Sequence, residues 1–214
     1  MGKLVTVKGI GHVSIAPDTV SVFLQVITVH ADYAQAIQAA KEKIAQLENV
    51  ITAQDFSGES LKTHSFSVDV KEKSELKEDV WQTEQIGYEV SQTVELQFSL
   101  DQNRLEKLLA NIAETKVQPV ISLQFTVKDR LVLQKQLLEN ATSDARYQAQ
   151  VLAQASNVVL GELVEINHSP TNQQTFLSPV TFQTESRQVA LPTIHPAMIE
   201  ETIEVNFCWK LKNK

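Results

Sequence analysis

The run IGYEVSQTVELQFSL, residues 86–100, alternates with a period of two. Ile86, Tyr88, Val90, Val94, Leu96, Phe98 and Leu100 fall on one side, and Gly87, Glu89, Ser91, Thr93, Glu95, Gln97 and Ser99 on the other. A strand sends successive side chains to opposite faces, so this run reads as a long strand with one covered face and one solvated face. Parallel sheets bury both faces and read as continuous apolar runs, so one-sided alternation points to antiparallel pairing. The same alternation recurs at His64, Phe66, Val68 and Val70, at Ile121, Leu123, Phe125 and Val127, and at Ile203, Val205, Phe207, Trp209 and Leu211. Near the N-terminus, Val20, Val22, Leu24 and Val26 oppose a second face that also carries Phe23 and Ile27, the pattern of a central strand. Pro17 and Asp18 mark a kink or bulge before it, because proline cannot donate to a ladder.

Three stretches between these strands have helical spacing. Asp32 is placed to cap a helix through Tyr33, Ile37, Ala40, Ile44, Leu47 and Ile51. Gly58 supplies the turn that follows. Asp101 is placed to cap a second helix through Leu105, Leu108, Leu109 and Ile112. The third is expected from about Leu131 to Val159, with Gly161 as its stop. It carries Leu138, Ala141, Ala145, Ala149, Leu152 and Ala155 on adjoining rows. Alanine has the highest helix propensity, and its short side chain lets a helix axis approach its neighbour closely. The row therefore reads as a tight helix-on-sheet or helix-on-helix contact, with packing against another subunit as the alternative.

These elements predict an α+β fold: mainly antiparallel sheet with helices packed on one face, in the order β-β-α-β-β-α-β-α-β-β. The 214 residues suit a single domain, 1–214, with a division into two subdomains near residue 85 left open. Glycine is scarce, six residues where average usage of roughly 7% gives about fifteen, so long elements and few turns are expected.

Two segments break the pattern. KEKSELKEDVWQTEQ reads as an exposed, charged hairpin tip around Trp81. Residues 169–199 carry four prolines and no sustained period, and a loop that long is usually mobile or functional. Trp81, Phe176, Leu177 and Phe182 are accordingly the candidate interaction residues.

Little else points to chemistry. The net charge of -7 disfavours nucleic acid and anionic membranes as partners, since both select for clustered Lys and Arg. No apolar run approaches the roughly 18 residues of a membrane span. The N-terminus lacks a signal-peptide pattern, so the chain as given is expected in the cytoplasm, or in the periplasm or at the cell surface if an export signal was removed. The single cysteine, Cys208, excludes an internal disulfide and is expected to be a buried, inert thiol. His12, His30, His64, His168 and His195 show no metal-ligand spacing. Gly9-Ile10-Gly11 is followed by a strand, not a helix, so a bulge or bend is expected there, not a phosphate loop. Asp144 and Arg146 point about 200° apart on a helix, so each is expected to meet a different neighbour or water, with Asp144–Gln148 an ordinary surface pair. No catalytic, cofactor-binding or metal-ligating residue is assigned, and no cofactor is expected.

Five motifs in order carry a family resemblance: VTVKGIGHVSIAPDTVSVFLQV, IGYEVSQTVEL, VISLQFTVKD, NATSDARYQAQVLAQASNVVLGELVEI and IHPAMIEETIEVNFCWKL. Together they resemble the SIMPL-domain family over nearly the whole chain. Pro196-Ala197 departs from the Pro-Gly the family tends to place before its last strand, which puts a tight turn there in doubt. The resemblance implies a bacterial protein of the periplasmic or outer-membrane-associated kind, some of whose relatives are linked to oxidative stress and antigenicity, and one branch of which forms large rings or channels. It implies no enzyme class. The resulting expectation is a non-enzymatic, self-assembling structural or interaction protein, a homo-oligomer with a stress-related role. The alternative is a monomeric binding module for a small apolar ligand or peptide.

Overall fold

The structure, a computed structural model, describes residues 3–57, 60–77, 80–169, 180–183 and 194–214. The elements run β1 (Leu4–Ile15), β2 (Thr19–His30), α1 (Tyr33–Thr52), β3 (Leu61–Lys77), β4 (Val80–Ser99), α2 (Gln102–Ala113), β5 (Val120–Thr126), α3 (Arg130–Ala155), β6 (Val158–Asn167), β7 (Val180–Gln183) and β8 (Ile199–Asn213). The expected α+β class and element order hold, with one addition: β7, a four-residue strand inside the segment read as a loop. The strands form two antiparallel sheets, and the chain divides into two compact units around them. Among the described residues no helix is long and apolar enough to cross a membrane.

One unit holds the five-stranded sheet β3-β4-β2-β5-β7 with α1 and α2. Its core follows from register. Val20 lies between Phe98 and Phe125, Val22 between Leu96 and Leu123, and Leu24 between Val94 and Ile121. Each rung thus presents three apolar side chains to one face, and α1 and α2 cover that face with Ile44, Leu47, Ile51, Leu105, Leu108, Leu109 and Ile112. Full burial of side chains of this size stabilises by about 1.5–3 kcal/mol each. The opposite face of β2 is more polar, with Ser21 accepting from Gln97 and Gln25 donating to Ser91. Both expected aspartate caps are present: Asp32 accepts from the Gln35 N–H at 3.0 Å, and Asp101 from that of Arg104 at 3.1 Å. Gly58 lies outside the described residues.

The expected hairpin tip is largely ladder. β3 and β4 stay paired as far as Lys77 and Val80, so most of KEKSELKEDVWQTEQ is strand and not loop. Exposed charged residues are compatible with a two-stranded ribbon, because cross-strand pairs such as Ser74–Thr83 replace burial as the local stabiliser.

The other unit holds the sheet β1-β8-β6 and α3. Asp129 caps α3, accepting from the Val132 N–H. The buried row is Leu133, Leu137, Ala141, Ala145, Ala149 and Ala153. Leu152 is 48% exposed, so it does not belong to that row. The helix also ends earlier than expected, at Ala155 and not Val159, and Gly161 is not its stop. Ser156 is the cap residue and Asn157 takes the left-handed conformation that follows, φ 56°. Asparagine tolerates that conformation because its short polar side chain bonds locally. Gly161 lies within β6 instead.

The alanine row meets glycine. A Cβ built on Gly9 would lie 2.0 Å from the carbonyl oxygen of Ala141 and 2.7 Å from the Ala145 Cβ, and one on Gly11 would lie 2.0 Å from the Leu137 oxygen. The expected bulge at Gly9-Ile10-Gly11 is absent, since β1 and β8 pair without a register shift from Leu4 to Ile15. These glycines are required by the close approach of α3. Two helix side chains then reach over the outer edge of β1. Asp144 accepts from the Ile10 N–H at 2.8 Å, and Asn140 donates to the His12 carbonyl at 2.9 Å. Both serve backbone groups that an edge strand turns away from its one neighbour.

Candidate functional site

The position of α3 decides where this unit is open. The helix packs chiefly on β1, the edge strand, and less on β8 and β6. Gly9 and Gly11 let it settle there, and Asp144 and Asn140 fasten it. β8 keeps its inward face buried, but β6 beyond it is incompletely covered, and a groove of about 580 Å³ lies along α3 on that side.

Helix periodicity supplies one wall: Leu138, Thr142, Arg146 and Gln150 follow at i, i+4 beside the buried alanines. The floor is Val205, Phe207 and Trp209 of β8, inward-facing by strand alternation. The Phe207 and Trp209 rings stack with centroids 5.4 Å apart and 16° between planes. The far wall is Leu160, Gly161, Leu163 and Ile166 of β6, with His168 just beyond the strand. β6 is irregular against β8, with register shifts between Leu160 and Leu163 and between Leu163 and Glu165. Such shifts bend a strand and re-aim its side chains. Leu163 and Ile166 remain 46% and 56% exposed.

The polar groups of the groove are few. Arg146 has no hydrogen bond or ion pair among the described residues, unlike Arg130, which pairs with Glu201 at 2.9 Å. The Nδ1 of His168 is buried without a hydrogen-bond partner. A site with an apolar body and few oriented polar groups matches the usual composition of a small-molecule pocket.

The residues singled out from sequence lie elsewhere. Trp81 is in β4, 71% exposed and opposite Leu76, one pair from the last described pair of the ribbon. Phe182 is in β7, paired with Ile121 of β5, and two strands, β2 and β5, separate β7 from β4. Phe176 and Leu177 lie outside the described residues. The structure thus does not bring Trp81 and Phe182 together. The histidines are dispersed: His12 meets Glu200 at 2.9 Å, and His64 lies 3.8 Å from Glu95. Among the described residues no three His, Cys, Asp or Glu side chains gather as for a metal ion. Asp144 does accept from Gln148, at 2.8 Å, but its bond to β1 makes it more than a surface pair. Cys208 is half-buried, not buried, because it sits on the β8 face that alternates with Phe207 and Trp209.

Comparison with known families gives one match. The SIMPL family model, described as a protein of unknown function (DUF541), covers residues 5–208. No curated protein matches the chain.

Proposed function

The chain belongs to the SIMPL family, whose description assigns no activity, and from that premise we propose that this protein works by binding and not by catalysis. Its receiving site is the groove beside α3, and its ligand a small apolar molecule or apolar segment. The observation that carries this reading is the groove beside α3, where Leu163 and Ile166 of β6 stay 46% and 56% exposed next to the nearly buried Phe207–Trp209 stack. An apolar group placed there removes mainly the aliphatic surface of Leu163 and Ile166 from water, worth roughly 25 cal/mol per Å². The test is saturable binding of an uncharged fluorescent probe such as N-phenyl-1-naphthylamine. Thr142→Trp, which fills the groove from an exposed helix position, is expected to abolish binding without lowering Tm. Unchanged probe binding in that variant would remove the groove from consideration.

A second reading is self-assembly, as a stress-related homo-oligomer, and Trp81 favours it. A tryptophan 71% exposed near the end of a long ribbon is an unusual use of a large apolar side chain. Light scattering over a concentration series distinguishes a 23.9 kDa monomer from a multiple. Assembly through the ribbon requires that Trp81→Ser shift the distribution toward monomer.

A further inference from the structure

We infer that the groove selects an anionic amphipath: a small molecule with an aliphatic or aryl body and one carboxylate. This rests on the reading of the groove as a binding site and adds the chemistry of its ligand. The floor and far wall supply only apolar surface, through Phe207, Trp209, Leu163 and Ile166. The charged group lining the groove is Arg146, and it has no partner among the described residues. A guanidinium matches a carboxylate with parallel N–H donors, which makes it the residue type suited to such a head group. His168 lines the same groove, and its buried Nδ1 has no hydrogen-bond partner. A ligand with its chain against the exposed Leu163 and Ile166 and its carboxylate on Arg146 uses both features at once.

The chain's overall charge makes the inference sharp. At -7 the protein repels anions and attracts cations at long range. Any preference for an anion must therefore come from the groove itself. Trp81 and Trp209 are the two tryptophans, so Trp81→Phe leaves Trp209 as the sole indole and a reporter on the groove floor.

The experiment titrates the full-length Trp81→Phe protein with decanoate, decanol and decylammonium, each below its aggregation concentration, following Trp209 emission. Decanoate is expected to saturate and to bind most tightly, decylammonium least. Adding Arg146→Gln is expected to weaken decanoate by about tenfold while leaving decanol unchanged, because a charge-assisted bond is lost and the apolar contact is not. Arg146→Lys is expected to restore part of the loss. Equal binding of decanoate and decanol, tightest binding of decylammonium, or equal weakening of decanoate and decanol by Arg146→Gln each overturns anion selection while leaving the groove in place. If none of the three changes Trp209 emission, the groove reading itself fails, and anion selection with it.

Discussion

Replacing Gly9 with alanine tests the packing of α3 by the sign of its effect. In an ordinary strand Gly→Ala stabilises by about 0.5–1 kcal/mol, because glycine loses more backbone freedom on folding. Here the added Cβ meets the Ala141 carbonyl oxygen at 2.0 Å, where ordinary contact begins at 3.4 Å. The helix must retreat by the difference, ~1.4 Å. Such a retreat stretches the 2.8 Å bond from Ile10 to Asp144 and the 2.9 Å bond from Asn140 to His12 beyond hydrogen-bonding range. Overpacking of this kind costs about 1–3 kcal/mol, and the two lost bonds add about 1 kcal/mol or more each. The expected net change is a destabilisation of about 3 kcal/mol, read by urea denaturation with Trp209 as reporter in the Trp81→Phe background. The main clash is with backbone, so Ala145→Gly, which removes only the 2.7 Å contact, is expected to rescue little. A neutral or stabilising Gly9→Ala would refute the close approach and with it the explanation of the alanine row.

Other outcomes follow from the same contacts. Ala145→Leu is expected to cost about 1–3 kcal/mol by overpacking, measured by the same denaturation; no change in midpoint would place that face away from the sheet. Asp144→Ala should destabilise by about 1–2 kcal/mol and speed hydrogen exchange at the Ile10 amide, whereas unchanged exchange would mean the edge of β1 is not held by the helix. Asp101→Ala should cost about 1 kcal/mol through loss of the α2 cap, visible as a lower Tm. Glu162 is fully exposed, and a hydrogen bond and charge attraction from Lys210, then Lys212, hold its carboxyl below the ordinary value. Its folded pKa is depressed, so its contribution is present above the unfolded pKa and lost as pH falls through the folded one. Lys210→Met should raise the Glu162 pKa in an NMR titration, and an unmoved pKa would show that the pair does not form in solution.

Most of the fold was legible because alternation and helical spacing are direct imprints of burial. The face listing Ile203, Val205, Phe207, Trp209 and Leu211 is the face of β8 turned toward α3. The two-sided pattern at Val20–Ile27 correctly marks β2 as interior to its sheet. What escaped depends on pairing across long separations. The meaning of Gly9 and Gly11 lies in Ala141 and Leu137, over a hundred residues away, and nothing local distinguishes such glycines from a bulge. The end of α3 was misplaced because Asn157 takes the turn conformation that glycine usually signals. β7 was hidden because four residues carry too little period to read. The groove was missed for a different cause: Leu138, Thr142, Arg146 and Gln150 share a row, but an i, i+4 row with mixed polarity looks like any solvated helix face. Only the off-centre seat of α3 turns that row into a wall.

The bonds from Asp144 and Asn140 to β1 also bias where this three-stranded sheet can grow. A sheet with two free edges can accept a strand on each side, and repeated addition then propagates without limit. Two outward groups of β1, the Ile10 N–H and the His12 carbonyl, are already bonded to α3, which leaves β6 the more open edge of this sheet. Strand addition on this sheet is therefore favoured at β6 over β1. Two copies joined through β6 would pair about a two-fold axis, while the five-stranded sheet keeps its own edges, β3 and β7.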